Sequence, residues 1–165
     1  AMDALVRELT ARGLPPIAMR VGVHTGTAVV GNVGSSNRFS YTVIGDAVNL
    51  AARLEGANKA FGTGILLSEA TACQLPASVG LRHLDNVVVK GKSQAVKVFT
   101  PDDRADIRAA SALLVERFYA GQHTQALAAA KEVLALLPQD KPAQRFVERL
   151  QAQEPYAQAL SLDKL

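Results

Sequence analysis

Residues 41–55 read YTVIGDAVNLAARLE. Their first residues close a short strand expected over Phe39 to Ile44, rich in β-branched and aromatic side chains. Gly45-Asp46 interrupts it, and the residues up to about Lys59 then carry helical periodicity, with Asp46 in the position of an N-cap. At about 100° per residue, Ala47, Leu50, Ala51 and Leu54 form one apolar face. Asn49 and Arg53 lie within about 40° of each other on the opposite face. A strand that feeds directly into an amphipathic helix is α/β material.

An amide and a guanidinium thus project together. Arg offers a permanent charge and a planar fork suited to phosphate, and Asn can bridge a sugar oxygen or a phosphate. Spacing alone leaves a second reading open, in which Asn49 is a polar surface residue and Arg53 pairs with Glu55 or solvent.

Upstream, Leu5, Leu9 and Leu14 flank a charged stretch that reads as a helix end, stopped by Gly13, Pro15 and Pro16. Ile17 to Val33 alternates in a Val-rich pattern broken at His24-Thr25-Gly26, which predicts two strands and their turn, with His24 in a structural role. Downstream, Gly62 and Gly64 end the helix, Ile65 to Leu67 is a short strand, and Ser68 to Cys73 a short helix. Val87 to Phe99 predicts a hairpin around Gly91. After Pro101 the composition turns to Ala, Leu, Gln and Arg, and helices are expected near 103–120, 122–136 and 140–152. Gly121, Ala126 and Pro138 have the mutual spacing of a tetratricopeptide unit. One partial repeat cannot bury its own faces, so these helices are expected to pack on the preceding domain or on a neighbouring chain. The organisation expected is residues 1–101 as one α/β unit and 102–165 as an α-helical tail.

Composition narrows the function classes. The 165 residues are 48% hydrophobic and 20% charged, enough apolar material for a packed core. No apolar run approaches the roughly 18 residues of a bilayer span, and the first 20 residues do not resemble a signal peptide. A cytoplasmic segment without direct membrane contact is expected, with any membrane anchor upstream. Cys73 is the single cysteine, which excludes an intrachain disulfide and predicts a small packed side chain. Residues 1–101 hold 10 Lys and Arg against 6 Asp and Glu, whereas residues 102–165 hold 8 against 9. That excess suits a small anionic ligand such as a nucleotide, and is too thin and unclustered for nucleic acid.

The stretch at 41–55, preceded by RVGVHTGTAVVGNVG at 20–34 and followed by VVVKGK at 87–92, resembles the class III nucleotide cyclases over roughly residues 1–101. The resemblance implies the C-terminal part of a ferredoxin-like cyclase fold. It also implies conversion of a nucleoside triphosphate to a 3′,5′-cyclic monophosphate and pyrophosphate, at sites shared between two cyclase domains, here a homodimer. Asn49 and Arg53 fall where the family orients the ribose and stabilises phosphate charge. Thr42 falls at a purine-reading position, where its hydroxyl favours adenine and hence ATP. Lys90 matches the lysine that reaches the triphosphate, with Lys92 the lesser candidate.

The sequence departs from the family in what it lacks. The two Asp motifs that hold the family's divalent ions, and the upstream purine-reading Lys, do not occur. Mg²⁺ or Mn²⁺ is therefore expected only in the complete enzyme, on ligands outside this chain, and the chain alone is expected to be inactive. The rival readings are a non-catalytic cyclase-like module that dimerises or senses nucleotides, and an interaction scaffold in which the helical tail is the working part.

Overall fold

A computed structural model describes residues 2–35, 38–88, 95–152 and 159–162 of the chain. In chain order the elements are α1 (Met2–Ala11), β1 (Val21–Val23), β2 (Val29–Ser35), β3 (Arg38–Ile44), α2 (Asp46–Phe61), β4 (Ile65–Ser68), α3 (Glu69–Ala72), β5 (Leu81–Val88), β6 (Val96–Pro101), α4 (Ala105–Tyr119), α5 (His123–Leu136), α6 (Lys141–Gln151) and β7 (Leu160–Ser161). The fold is mixed α/β.

Five strands form one sheet in the order β1-β4-β6-β5-β7. β1 runs parallel to β4, with Val21 opposite Ile65, so α2 lies on the crossover that parallel strands require. β6 pairs antiparallel with both β4 and β5, and β7 closes the far edge parallel to β5. The two strands expected between Ile17 and Val33 form, but they do not pair with each other. β1 joins the main sheet, whereas β2 pairs with β3 in a separate antiparallel ribbon, Val29 opposite Ile44. This ribbon exposes apolar side chains widely, with Val29 at 64% and Tyr41 at 77% exposure.

Contact between α2 and the sheet is close at two places. A Cβ at Gly22 would strike the carbonyl oxygen of Ala51 and the amide of Glu55, so only a glycine on β1 lets the helix backbone come this near. Buried Asn58 donates through Nδ2 to Val21 O at 3.0 Å and to Leu54 O at 3.1 Å, while its Oδ1 accepts from Thr63 Oγ1 at 2.8 Å. A polar side chain is tolerated in the core because its hydrogen-bonding groups are met.

Two hydrophobic cores result. Leu50, Leu54, Ala57 and Phe61 of α2 pack with Leu66, Leu84, Val87, Val98 and Leu162 of the sheet side. A second cluster joins α4, α5 and α6 through residues that include Leu114, Phe118, Ala126, Val133, Phe146 and Leu150. α4 also lies against β5. β5 carries a bulge between His83 and Asp85, and the strand alternation breaks there, so the neighbours Leu84 and Asp85 are both buried. Among the described residues no helix is long and apolar enough to cross a membrane.

Two expectations fail locally. Cys73 is exposed, not packed, because it caps the C-terminus of the short α3, where the chain leaves the sheet. Asp46 is not the N-cap of α2. Gly45 occupies that position at φ 143° and has no side chain with which to cap the helix.

Candidate functional site

The site begins at Gly45. Its φ of 143° lies in the left-handed half of backbone space, where a Cβ is strained, and it turns β3 directly into α2. The amides of Val48 and Asn49 then donate to Gly45 O at 3.1 and 3.2 Å, closing the first helical turn. Asp46, as the first helical residue, places its carboxylate where the positive end of the helix dipole favours it.

Because Leu50, Leu54, Ala57 and Phe61 turn into the core, the other side of α2 is left to present its polar residues. Asn49 is exposed and Arg53 half-buried, one turn apart on that side. Glu55, a sequence candidate for pairing with Arg53, accepts from Arg20 Nε at 3.1 Å. Thr42 lies on β3 opposite Gly31 and is exposed. Thr42 thus lies on β3, and Asn49 and Arg53 on α2, the two elements that meet at Gly45. Lys90 and Lys92 lie outside the described residues.

The His24 turn is tied down behind this junction. His24 Nδ1 lies 2.7 Å from Ser68 Oγ, Thr25 Oγ1 lies 3.1 Å from Thr71 Oγ1, and Ser68 caps α3 by accepting from Thr71 N. A Cβ at Gly26 would come within 2.9 Å of Ala47 Cβ, so this turn rests on the first turn of α2. Among the described residues no group of three or more His, Cys, Asp or Glu side chains is placed to hold a metal ion. Of the described residues at the junction Asp46 is the single carboxylate, and the permanent positive charge of Arg53 favours an anion over a divalent cation. The amide, guanidinium and hydroxyl suit an anion and its sugar.

A cleft of about 480 Å³ lies elsewhere, lined by residues including Phe61, Arg82, Arg104, Asp140 and Lys141, and none of Thr42, Asn49 or Arg53 lines it. Near it runs a buried polar network that sequence patterns do not reveal. Arg82 pairs with Asp140 at 2.7 Å and donates to Ser111 Oγ at 2.7 Å. Asp85 accepts from Tyr119 Oη at 2.7 Å and from Arg149 Nη1 at 3.4 Å. Burial pushes the Asp85 carboxyl above its ordinary range, against the pull of Tyr119 and Arg149, and raises the Tyr119 phenol as well. The one signal available in sequence is the interruption of an apolar strand by charge in LRHLDNVV.

A family model described as the adenylate and guanylate cyclase catalytic domain matches residues 1–100. Adenylate cyclase 1 of Rhizobium meliloti is 48% identical over 98 residues, which cover 59% of this chain and 15% of that protein. An adenylate cyclase of Anabaena cylindrica is 47% identical over 90 residues, 53% of this chain and 18% of that protein. The crystal structure of the adenylyl cyclase CyaB from P. aeruginosa superposes with a TM-score of 0.53 at 36% identity, covering 64% of this chain and 54% of that one. The chain thus spans less than a fifth of either curated relative.

Proposed function

Since the chain belongs to the adenylate and guanylate cyclase catalytic-domain family, we propose that it is part of an adenylate cyclase that converts ATP to 3′,5′-cyclic AMP and pyrophosphate. In this reading its sheet is the C-terminal part of a ferredoxin-like cyclase domain spanning residues 1–101, in a cytoplasmic segment, and residues 102–165 are a tetratricopeptide-like helical tail. The observation that carries the proposal is the pair Asn49 and Arg53, set one turn apart on the side of α2 away from the core, directly after the Gly45 turn.

In the reaction the ribose 3′-hydroxyl gives up its proton to solvent as its oxygen bonds to the α-phosphorus, the bond from that phosphorus to the bridging oxygen of the β-phosphate breaks, and the electron pair leaves with pyrophosphate. Asn49 orients the ribose by hydrogen bonding to its oxygens. Arg53 places a fixed positive charge against the phosphates as negative charge develops on the transferred and leaving groups. The Thr42 hydroxyl both donates and accepts, and so meets the amino edge of adenine. Lys90 supplies a mobile charge to the triphosphate. Mg²⁺ or Mn²⁺, if bound in the complete enzyme by ligands outside this sequence, would supply charge neutralisation at the phosphates and a lower pKa for the ribose hydroxyl.

The partner is a second cyclase domain, in a homodimer. The ribbon of β2 and β3 supports this, since Val29, Val30, Val33, Tyr41, Val43 and Ile44 are all exposed and adjoin Thr42. The rival reading is a non-catalytic nucleotide-sensing or dimerisation module.

Cyclic AMP formation from ATP with Mg²⁺ or Mn²⁺ separates the two. The complete protein should turn over, and Arg53→Ala should lower kcat by about 10² or more while changing stability by less than about 1 kcal/mol. Asn49→Ala should behave similarly, and the 165-residue chain alone should form no product. A complete protein that binds ATP without turnover supports the module instead.

A further inference from the structure

The end of α2 remote from Gly45 is gripped by α6. A helix leaves its last carbonyls without intrahelical partners. The amides of Gly62 and Thr63 both return to Asn58 O. The next two carbonyls are met from α6: Lys141 Nζ donates to Lys59 O at 3.2 Å, and Arg145 Nη2 donates to Ala60 O at 3.1 Å. The Arg145 guanidinium also stands 5.2 Å from the centre of the Phe61 ring, and the Lys141 stem lies over Gly62, where a Cβ would come within 3.2 Å of its Cδ. Two cations at a helix C-terminus complement the negative end of its dipole, and the arginine adds a cation–π contact.

α6 is not free to drift. Asp140, its N-cap, accepts from Ala143 N at 2.8 Å and pairs with Arg82 of β5. Near its other end Arg149 pairs with Asp85 of the same strand and stands 4.3 Å from the centre of the Phe118 ring of α4. α6 is thus fixed to β5 at two points, and its first two turns hold the last turn of α2.

We infer that Arg145 and Lys141 are positioning residues, which set the axial and rotational position of α2 and through it the placement of Asn49 and Arg53. The inference rests on the reading of those two as site residues. Arg53 and Ala60 are about 10 Å apart along the helix at 1.5 Å per residue, and a hydrogen-bonded helix transmits rotation and sliding over that length. A rotation of about 10° at Ala60 moves a side-chain tip about 6 Å from the axis by about 1 Å, a displacement of the size that degrades a reacting geometry. Residues distant from the substrate thereby act on turnover more than on substrate binding.

The test uses the complete enzyme. Arg145→Gln, Arg145→Lys, Lys141→Gln and the double Gln variant are compared with wild type for kcat, for KM toward ATP, and for amide hydrogen exchange across residues 57–63. Arg53→Ala is run in parallel. Expected are a 3- to 10-fold fall in kcat for Arg145→Gln with KM within 2-fold, a larger fall in the double variant, and recovery of at least half of the lost kcat in Arg145→Lys. Exchange across 57–63 should speed up in step with kcat loss. Faster exchange with unchanged kcat overturns the inference and leaves α6 a simple cap. So does unchanged exchange and unchanged kcat while Arg53→Ala is crippled, an outcome that keeps the site reading intact. If Arg53→Ala turns over normally, the site reading itself fails and the positioning role goes with it. The Lys141→Gln and Arg145→Lys variants keep the test decisive should the double variant misfold.

Discussion

Arg82 of β5 and Asp140 of α6 are joined at 2.7 Å with their side chains only 7% and 6% exposed. Each has a second partner, since Arg82 Nε donates to Ser111 Oγ and Asp140 Oδ1 accepts from Ala143 N. The pair therefore ties a strand to two helices while capping one of them. Its net contribution is set by what remains when one member goes, because a buried charge without a counter-charge is far costlier than the intact pair is favourable.

Arg82→Ala and Asp140→Ala should each destabilise the chain by about 3–5 kcal/mol, measured by urea unfolding, with Asp140→Ala also losing a cap. The double variant should cost clearly less than the two singles together. Additive losses would show that the two side chains do not act as a pair.

Gly22→Ala should destabilise by about 3 kcal/mol or more, since the new methyl meets backbone atoms of Ala51, Leu54 and Glu55 that cannot turn aside as a side chain does. Thermal unfolding within 1 °C of wild type would mean that β1 and α2 do not approach this closely.

Which parts were legible in sequence follows from the range of the interactions. α2 declares itself because its apolar positions recur at the helical period, and the same pattern sets Asn49 and Arg53 one turn apart on the side opposite the apolar face. The helices observed at 105–119, 123–136 and 141–151 show in composition for the same local reason. Gly45 as cap in place of Asp46 is not legible, since a φ of 143° is a property of the chain path and Asp is the commoner cap. The pairing of β1 with β4 and not with β2 depends on a partner more than 40 residues away. β5 starts at Leu81, earlier than the hairpin expected from Val87, because Arg82 and Asp85 find buried partners on α4 and α6 that no local window contains. The residue types of the candidate site are thus readable from one short stretch, and the long-range contacts that hold its elements in place are not.

His83 stacks on Phe99 with ring centres 4.9 Å apart, and its Nε2 lies 3.1 Å from Asn86 Oδ1. Burial lowers its pKa below the ordinary 6.5, with the Asn86 contact opposing. The unfolded chain therefore takes up this proton at higher pH than the folded one. The stability His83 contributes is full above pH 6.5 and is lost as pH falls from 6.5 through the lower folded value. His83→Phe keeps the stacking and should remove this part of the acid-side loss in unfolding experiments between pH 7 and 5. An unchanged pH profile would show that His83 is not held neutral.

Thr42 is exposed on β3 beside the start of α2. As a purine reader it should give the complete enzyme a higher kcat/KM for ATP than for GTP, and Thr42→Val should narrow the ratio by about 2- to 12-fold, the range of one hydrogen bond of about 0.5–1.5 kcal/mol. A wild-type preference for GTP would overturn the choice of adenine.

Removal of residues 102–165 from the complete protein should do more than shorten it. Asp85 would lose Tyr119 and Arg149, Arg82 would lose Asp140 and Ser111, and the last carbonyls of α2 would lose Lys141 and Arg145. β7 goes as well, which uncovers the outer edge of β5 and takes Leu162 from the core. An open strand edge beside newly exposed polar and apolar surface favours association through that edge. The truncated protein should lose solubility and unfold at lower temperature, measured by sedimentation of the soluble fraction and by thermal scanning. If it stays soluble and equally stable, the helices do not serve as packing for the sheet, and docking of a partner becomes the better account of them.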